Sequence, residues 1–134
     1  PRFTELAAAQ EDHAEIEFLL RWPLAASAEP ETLISGYLDR LYRDARGNWH
    51  VLDFKTNRVG ESGVTGVAAA YEMQMLVYGL ATEQILGVPP ASLTLHFLRT
   101  GAEHAFAWDA AARERAVRLV EAGIAASVAT AVAT

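Results

Sequence analysis

Val51-Leu52-Asp53-Phe54-Lys55-Thr56-Asn57 sets an acid and a lysine two residues apart inside an otherwise apolar run. In a β-strand the side chains alternate, so Asp53 and Lys55 share one face with Val51, while Leu52, Phe54 and Thr56 take the other. Upstream, Leu33-Ile34-Ser35-Gly36-Tyr37-Leu38-Asp39-Arg40-Leu41-Tyr42 is a second run of strand character carrying another acid, Asp39. Between the runs, Arg43-Asp44-Ala45-Arg46-Gly47-Asn48 has the composition of a hairpin turn. Folding that hairpin is expected to bring Asp39 and Asp53 together on neighbouring strands with Lys55 beside them. Two carboxylates and an ammonium at one place have the character of a site rather than a core.

The rest of the composition narrows the setting. The 134 residues suffice for one domain with its own core, and 51% apolar residues are too many for a disordered segment. No apolar run reaches the length of a membrane span, and no signal-peptide pattern opens the chain, so no membrane partner is expected. With no cysteine, disulfides, thiolate zinc sites and iron–sulfur clusters are excluded, which fits a cytoplasmic protein. A net charge of −6 rules out general polyanion binding by the whole surface, so any nucleic-acid contact must be local. The chain begins with Pro1 and no methionine, as expected of a piece of a longer protein.

Outward from the central stretch, the elements follow from pattern and punctuation. Arg2 to Gln10 reads as the last turns of a helix, and Ala14 to Trp22 as a first strand ended by Pro23. Leu24 to Glu31 reads as a loop, and strands are expected over roughly 33–42 and 49–56. Arg58 to Gly66, with three glycines and Glu61, reads as a loop next to the site. Val67 to Leu86 is expected to form one long, largely buried helix, stopped by Gly87 and Pro89-Pro90. Ser92 to Leu98 and His104 to Trp108 are strands around a turn, and Asp109 caps a last helix over Ala110 to Ser127. The order βββαββα contains one βαβ crossover flanked by hairpins. It predicts an α/β fold: a mixed sheet of about five strands with flanking helices, all in a single domain over residues 1–134.

The chemistry of the central residues is that of a hard cation. Mg²⁺, or Mn²⁺ in its place, takes oxygen ligands, and Asp39, Asp53 and the carbonyl of Phe54 offer them. Such an ion polarises a phosphodiester and activates water, while Lys55 can orient that water or offset transition-state charge. On the long helix Tyr71, Gln74 and Tyr78 fall at i, i+3 and i+7, along one line of the surface. Gln74 is an amide among Met73, Met75, Leu76 and Val77, and a buried amide needs partners. Taken singly, each feature has a plain reading as well. Asp-x-Lys is commonly an exposed ion pair, Asp39-Arg40 surface charge, and Gln74–Tyr78 a core hydrogen bond. Arg40, Arg43, Arg46 and Arg58 read equally as a phosphate-contact strip or as solvated turn charges. His13, His50, His96 and His104 share no metal-ligand spacing.

Taken together, Ser35-Gly36-Tyr37-Leu38-Asp39-Arg40, then Val51 to Asn57, then Tyr71-Glu72-Met73-Gln74-Met75-Leu76-Val77-Tyr78 closely resemble the PD-(D/E)xK nuclease superfamily. Within it the resemblance is to the RecB/AddA-type C-terminal nuclease domain of bacterial helicase–nucleases. That family carries Gly-x-(Ile/Leu)-Asp-Arg, Asp-(Tyr/Phe)-Lys-Thr and a Gln-x-x-x-Tyr helix in this order. The resemblance implies a restriction-endonuclease-like fold, Asp39 and Asp53 as metal ligands, Lys55 as catalytic lysine, and Gln74 with Tyr78 assisting from the helix. It further implies a Mg²⁺-dependent deoxyribonuclease of exonuclease type acting on DNA in double-strand-break repair and recombination. Its partners would be a helicase domain in the same chain and a second helicase–nuclease subunit. Two departures stand out. The family's metal-binding histidine lies on a helix well upstream, whereas His13 directly precedes the first strand, so that helix is expected to lie before Pro1. Members holding an iron–sulfur cluster use four cysteines, and this chain has none, which points away from the AddB-like and CRISPR-adaptation branches. The contrasting expectation is a catalytically inactive relative that keeps the fold for DNA binding or subunit scaffolding.

Overall fold

The turn expected between the two acidic strands closes through Asp44. Its Oδ1 accepts the backbone N–H groups of Arg46 (2.9 Å) and Asn48 (3.0 Å), and its own N–H is donated to the carbonyl of Asn48. The computed structural model of the chain describes residues 2–24, 32–60 and 62–133, with side chains as far as 126. The turn joins β2 (Thr32–Arg43) to β3 (Trp49–Lys55), and β1 (Glu11–Trp22) lies antiparallel to β2 along its length. A crossover through α2 (Val64–Ala69) and α3 (Glu72–Leu86) leads to β4 (Ser92–Phe97), parallel to β3. β5 (Glu103–Phe106) returns antiparallel to β4, giving one five-stranded mixed sheet in the order β1-β2-β3-β4-β5. This is the α/β architecture expected from the sequence. The strands run longer or shorter than expected by a few residues at their ends, where pairing rather than composition decides.

Helices cover both faces of the sheet. Toward α3 and α4 (Ala110–Ala133), the main core gathers Phe18, Leu20, Leu38, Leu41, Val51, Leu93, Leu95 and Phe97 with Met75, Leu76, Leu80 and Ala116. The opposite face is smaller: α1 (Arg2–Ala7) lays Leu6 over Tyr42 and Leu52, with Phe54 alongside. Among the described residues no helix is long and apolar enough to cross a membrane.

Two helix expectations need correction. The crossover is not one helix over Val67 to Leu86. It begins at Val64, within the stretch expected as loop, and breaks at Ala70–Tyr71, where the N–H groups of Ala70 and Tyr71 reach back three residues to Val67 and Ala68. Ala68-Ala69-Ala70 favours unbroken helix, so local propensity does not account for the break, which coincides with the contacts of Tyr71 described below. The last helix, capped by Asp109 Oδ1 on the N–H of Ala112, runs to Ala133 rather than Ser127. The loop expected over Leu24 to Glu31 lies, apart from Leu24, outside the described residues, as does Glu61.

α3 sits close to β5 and α4 because Gly79 has no side chain. A Cβ there would stand 2.6 Å from the Trp108 ring, whose Nε1 is held by a 2.8 Å hydrogen bond to Glu83 on the same helix. Helix propensity alone favours Gly79→Ala by about 1 kcal/mol. With the ring pinned, the expected outcome is the reverse: a loss of about 1–3 kcal/mol in urea unfolding. A stabilised variant would show that Trp108 can move aside.

Candidate active site

β2 and β3 pair in register from Arg43↔Trp49 to Arg40↔Leu52, and there the ladder stops. One step further, Asp39 faces Asp53 across the gap, and the Asp39 carboxylate replaces the missing backbone partner by accepting the N–H of Phe54 at 2.9 Å. Two irregularities mark the same level of the sheet. Leu38 and Leu41 both enter the main core although three residues apart, so the alternation of β2 slips across Asp39–Arg40. Opposite, on β1, Glu15 has φ 53 and drops out of a ladder that holds from Glu11 to Ala14 and resumes at Ile16. Gly36 belongs to this arrangement, since a Cβ there would meet the Phe18 ring at 2.7 Å.

Asp53 is only 2% exposed, and its Oδ2 lies 2.8 Å from the Lys55 ammonium. That contact is an ion pair without hydrogen-bond alignment, and Asp53 Oδ2 is left as a buried oxygen with no hydrogen-bond partner. Lys55 donates instead to Gln74 Oε1 at 3.0 Å, Gln74 Nε2 donates to Tyr78 Oη at 2.9 Å, and the lysine ammonium rests 4.3 Å from the centre of the Tyr71 ring. Tyr71 in turn donates from its hydroxyl to Asn57 Oδ1 at 3.3 Å. Asp39, Asp53, Lys55, Gln74 and Tyr78 are thus gathered by one chain of contacts running from the sheet to α3. The sequence pattern lines Tyr71 up with Gln74 and Tyr78 but assigns it no part in the site, and its place three residues before Gln74 is the signal that could have done so. Neither the role of Asn57 nor the Glu15 kink has a signature in the sequence.

The electrostatics follow from burial. The Asp53 carboxyl is pushed up to about 6, chiefly by loss of water, with Lys55 opposing the rise and the neighbouring Asp39 carboxylate adding to it. Tyr78 is pushed up to about 12 by burial, with the Asp53 and Asp39 charges adding to it. An unsatisfied carboxylate oxygen beside a second carboxylate is a good donor set for a hard divalent cation.

The other candidates fall elsewhere. Arg40 pairs with Asp12 at 3.1 Å, Arg43 bonds Gln10 and stands over Trp49, and Arg46 occupies the β2–β3 turn. Of the four arginines, Arg58 alone follows the strand end that carries Lys55, so they form no single strip. His96 is a satisfied strand residue, held by Glu103 at 2.7 Å. His50 does join acids, contrary to its sequence spacing: ligating atoms of Glu5, Asp44 and His50 lie within 4.8 Å of one another. That cluster is on the α1 face, and its members are already engaged by Arg2, by the turn amides and by Ser92.

Against known families, the PD-(D/E)XK nuclease superfamily model matches residues 1–132. The chain belongs to the PD-(D/E)XK nuclease superfamily. It is 27% identical over 107 residues, 75% of its length, to the A subunit of the ATP-dependent helicase/nuclease of Natranaerobius thermophilus. With the protein of the same name from Lysinibacillus sphaericus it shares 33% identity over 70 residues, 48% of its length. These regions are 8% and 6% of the two relatives, so the chain spans less than a tenth of their length.

The raised Asp53 carboxyl has a thermodynamic consequence. Between the ordinary value of 3.8 and about 6, the native state keeps a proton that the unfolded chain has released, so this group lowers stability as pH rises. Without divalent cations, Asp53→Asn is expected to gain on the parent chain by on the order of 2–3 kcal/mol between pH 4 and pH 6.5. Urea unfolding of both proteins across that range measures the gap, and a constant gap would contradict the assignment.

Proposed function

We propose that this nuclease-family chain is a divalent-metal-dependent deoxyribonuclease module in which Asp39 and Asp53, with the carbonyl of Phe54, hold Mg²⁺ or Mn²⁺. The observation carrying this reading is the buried Asp53 oxygen with no hydrogen-bond partner, set beside a second carboxylate and a lysine. Such an arrangement costs stability, and a scaffold would gain nothing by keeping it. The cation, when bound, polarises the scissile phosphate and lowers the pKa of water.

The remaining work belongs to the chain's own groups. Lys55 offsets charge that builds on the phosphate oxygens and orients the attacking water, because its ammonium is fixed on three sides by Asp53, Gln74 and the Tyr71 ring. The lysine ammonium, which can only donate, requires the Gln74 carbonyl to face it, and Tyr78 steadies that amide by accepting from its nitrogen. The whole unit, residues 1–134, serves as the C-terminal nuclease domain of a longer bacterial helicase–nuclease of the cytoplasm. A helicase domain in the same chain and a second subunit deliver unwound strands to it for exonucleolytic trimming of broken DNA ends. The names of the two relatives support this coupling.

Titration calorimetry with Mn²⁺ is expected to give specific binding that Asp53→Asn abolishes. With end-labelled DNA, Asp53→Asn and Lys55→Met should each lose at least about 100-fold in cleavage rate while remaining folded. Mn²⁺ binding that survives Asp53→Asn, or an Asp53→Asn variant that still cuts, would overturn the proposal. Tyr71 provides a finer test of the lysine's support. Tyr71→Phe keeps the ring face and should retain most of the rate, whereas Tyr71→Leu should fall by about tenfold, the scale of a desolvated cation–π contact. Equal effects of the two would assign the role to the hydroxyl and Asn57.

A further inference from the structure

Most cations of this acidic chain are already engaged. Arg2, Arg40, Arg43, Lys55, Arg113, Arg115 and Arg118 each pair with a carboxylate. Among the described residues, Arg21, Arg46, Arg58 and Arg99 are the guanidiniums with no side-chain partner. Two of these four, Arg58 and Arg99, are brought to the same edge of the sheet by topology.

β3 and β4 are parallel neighbours in register up to Lys55↔Phe97, so both chains leave the sheet at the same end, the end that carries Lys55. Arg58 follows Lys55 by three residues, and Arg99 follows Phe97 by two; both are exposed. The exits are tied together. Leu98 donates its N–H to the Lys55 carbonyl at 2.9 Å, and Thr100 Oγ1 donates to the carbonyl of Val59, which is itself buried. The Arg99 turn is closed in addition by Thr100 and Gly101 N–H groups on the Phe97 carbonyl, Gly101 at φ 76. Two unpaired guanidiniums therefore stand on mutually anchored backbone beside Lys55, at the carboxyl ends of a parallel strand pair, where open α/β sheets bind ligands.

We propose that Arg58 and Arg99 form a clamp for the backbone phosphates of the DNA strand next to the scissile one. This rests on the nuclease reading and extends it from the reacting phosphate to its neighbours. Guanidinium is the suited group, since it binds phosphate oxygens in pairs and remains charged at every working pH. A chain of net charge −6 must repel a polyanion over most of its surface, so cations left free at the site edge give the strand a defined place to approach. The contact carries no base information, and the resulting grip is indifferent to sequence.

The test separates holding the strand from cutting it. In an Asp53→Asn background, binding of a labelled oligonucleotide is followed by anisotropy across salt concentrations. Removing both arginines (R58A with R99A) is expected to weaken binding by about tenfold or more at low salt and to lower the salt slope by about 2. Replacing both by lysine should restore the slope, and Arg46→Ala, which removes an unpaired charge at the far end of β3, should change binding little. In the catalytically intact chain, hydrolysis of bis(4-nitrophenyl) phosphate, a diester without neighbouring phosphates, should proceed at the parental rate in the double variant. Parental DNA affinity in the double variant would overturn the clamp, as would equal losses on DNA and on the small diester. A parental chain that neither binds nor cuts DNA would instead remove the nuclease reading itself.

Discussion

Everything at this site depends on one carboxyl group that water cannot reach. Asp53 belongs to a strand in the middle of the sheet, between β2 and β4, with α3 closing over its face. There the anion loses most of its hydration, and a single lysine at 2.8 Å without hydrogen-bond alignment does not replace it. The raised carboxyl and the ordered lysine are consequences of that one placement, and the Asp53 charge adds to the burial that pushes Tyr78 up to about 12. Lys55 in particular is drawn out of solvent by Asp53 and is then caught by α3 through Gln74 and Tyr71. The helix break falls at Ala70–Tyr71, where the Tyr71 ring lies 4.3 Å from the ammonium.

The sheet makes room for this by failing locally. Past Arg40↔Leu52 the backbone ladder between β2 and β3 ends, and the side chain of Asp39 carries the bond to Phe54 that a main-chain carbonyl would otherwise make. A regular ladder would satisfy the same N–H, but it would give Asp39 no reason to face Asp53. The slip in β2 and the positive φ of Glu15 on β1 occur at the same level, so the irregularity runs across three strands. Its cost is borne by a sheet whose remaining pairing is continuous, in keeping with strain held at working sites by a surrounding regular structure.

Strand order, both hairpins and the parallel crossover were legible because turn residues and alternation determine them within a few residues of sequence. The meeting of Asp39, Asp53 and Lys55 followed from hairpin register, whereas Gln74 and Tyr78 were joined to them only by the family resemblance. What escaped was whatever depends on contacts between distant segments. Ala68-Ala69-Ala70 gives no hint of a break, and the lysine that Tyr71 meets there lies on a distant strand. His50, with no metal-like spacing to any other histidine, meets Glu5 from α1 and Asp44 from the turn only because β2 and β3 fold back beneath that helix. Arg58 and Arg99, forty-one residues apart in sequence, leave the sheet at the same end only through the parallel pairing of β3 with β4, and neither carries a motif of its own.

The two faces of the sheet solve the problem of burying charge in opposite ways. On the α1 face, Arg2 reaches Glu5, Glu103 and Tyr42, Glu103 also holds His96, and Asp44 holds His50, so each buried or half-buried charge there has aligned partners. Glu103 is accordingly held below the usual carboxylate range by Arg2, with His96 adding to the effect. On the α3 face, Asp53 is pushed the other way by burial. Both faces belong to the same chain and the same strands, so the contrast cannot be put down to a general shortage of partners. A carboxyl satisfied by arginine and histidine has little left to offer a cation. One kept dry beside a second acid, with a single misaligned ammonium, keeps its lone pairs available. On the proposed reading, the incomplete satisfaction of Asp53 is the property that a metal-dependent site would require and that a structural ion network removes.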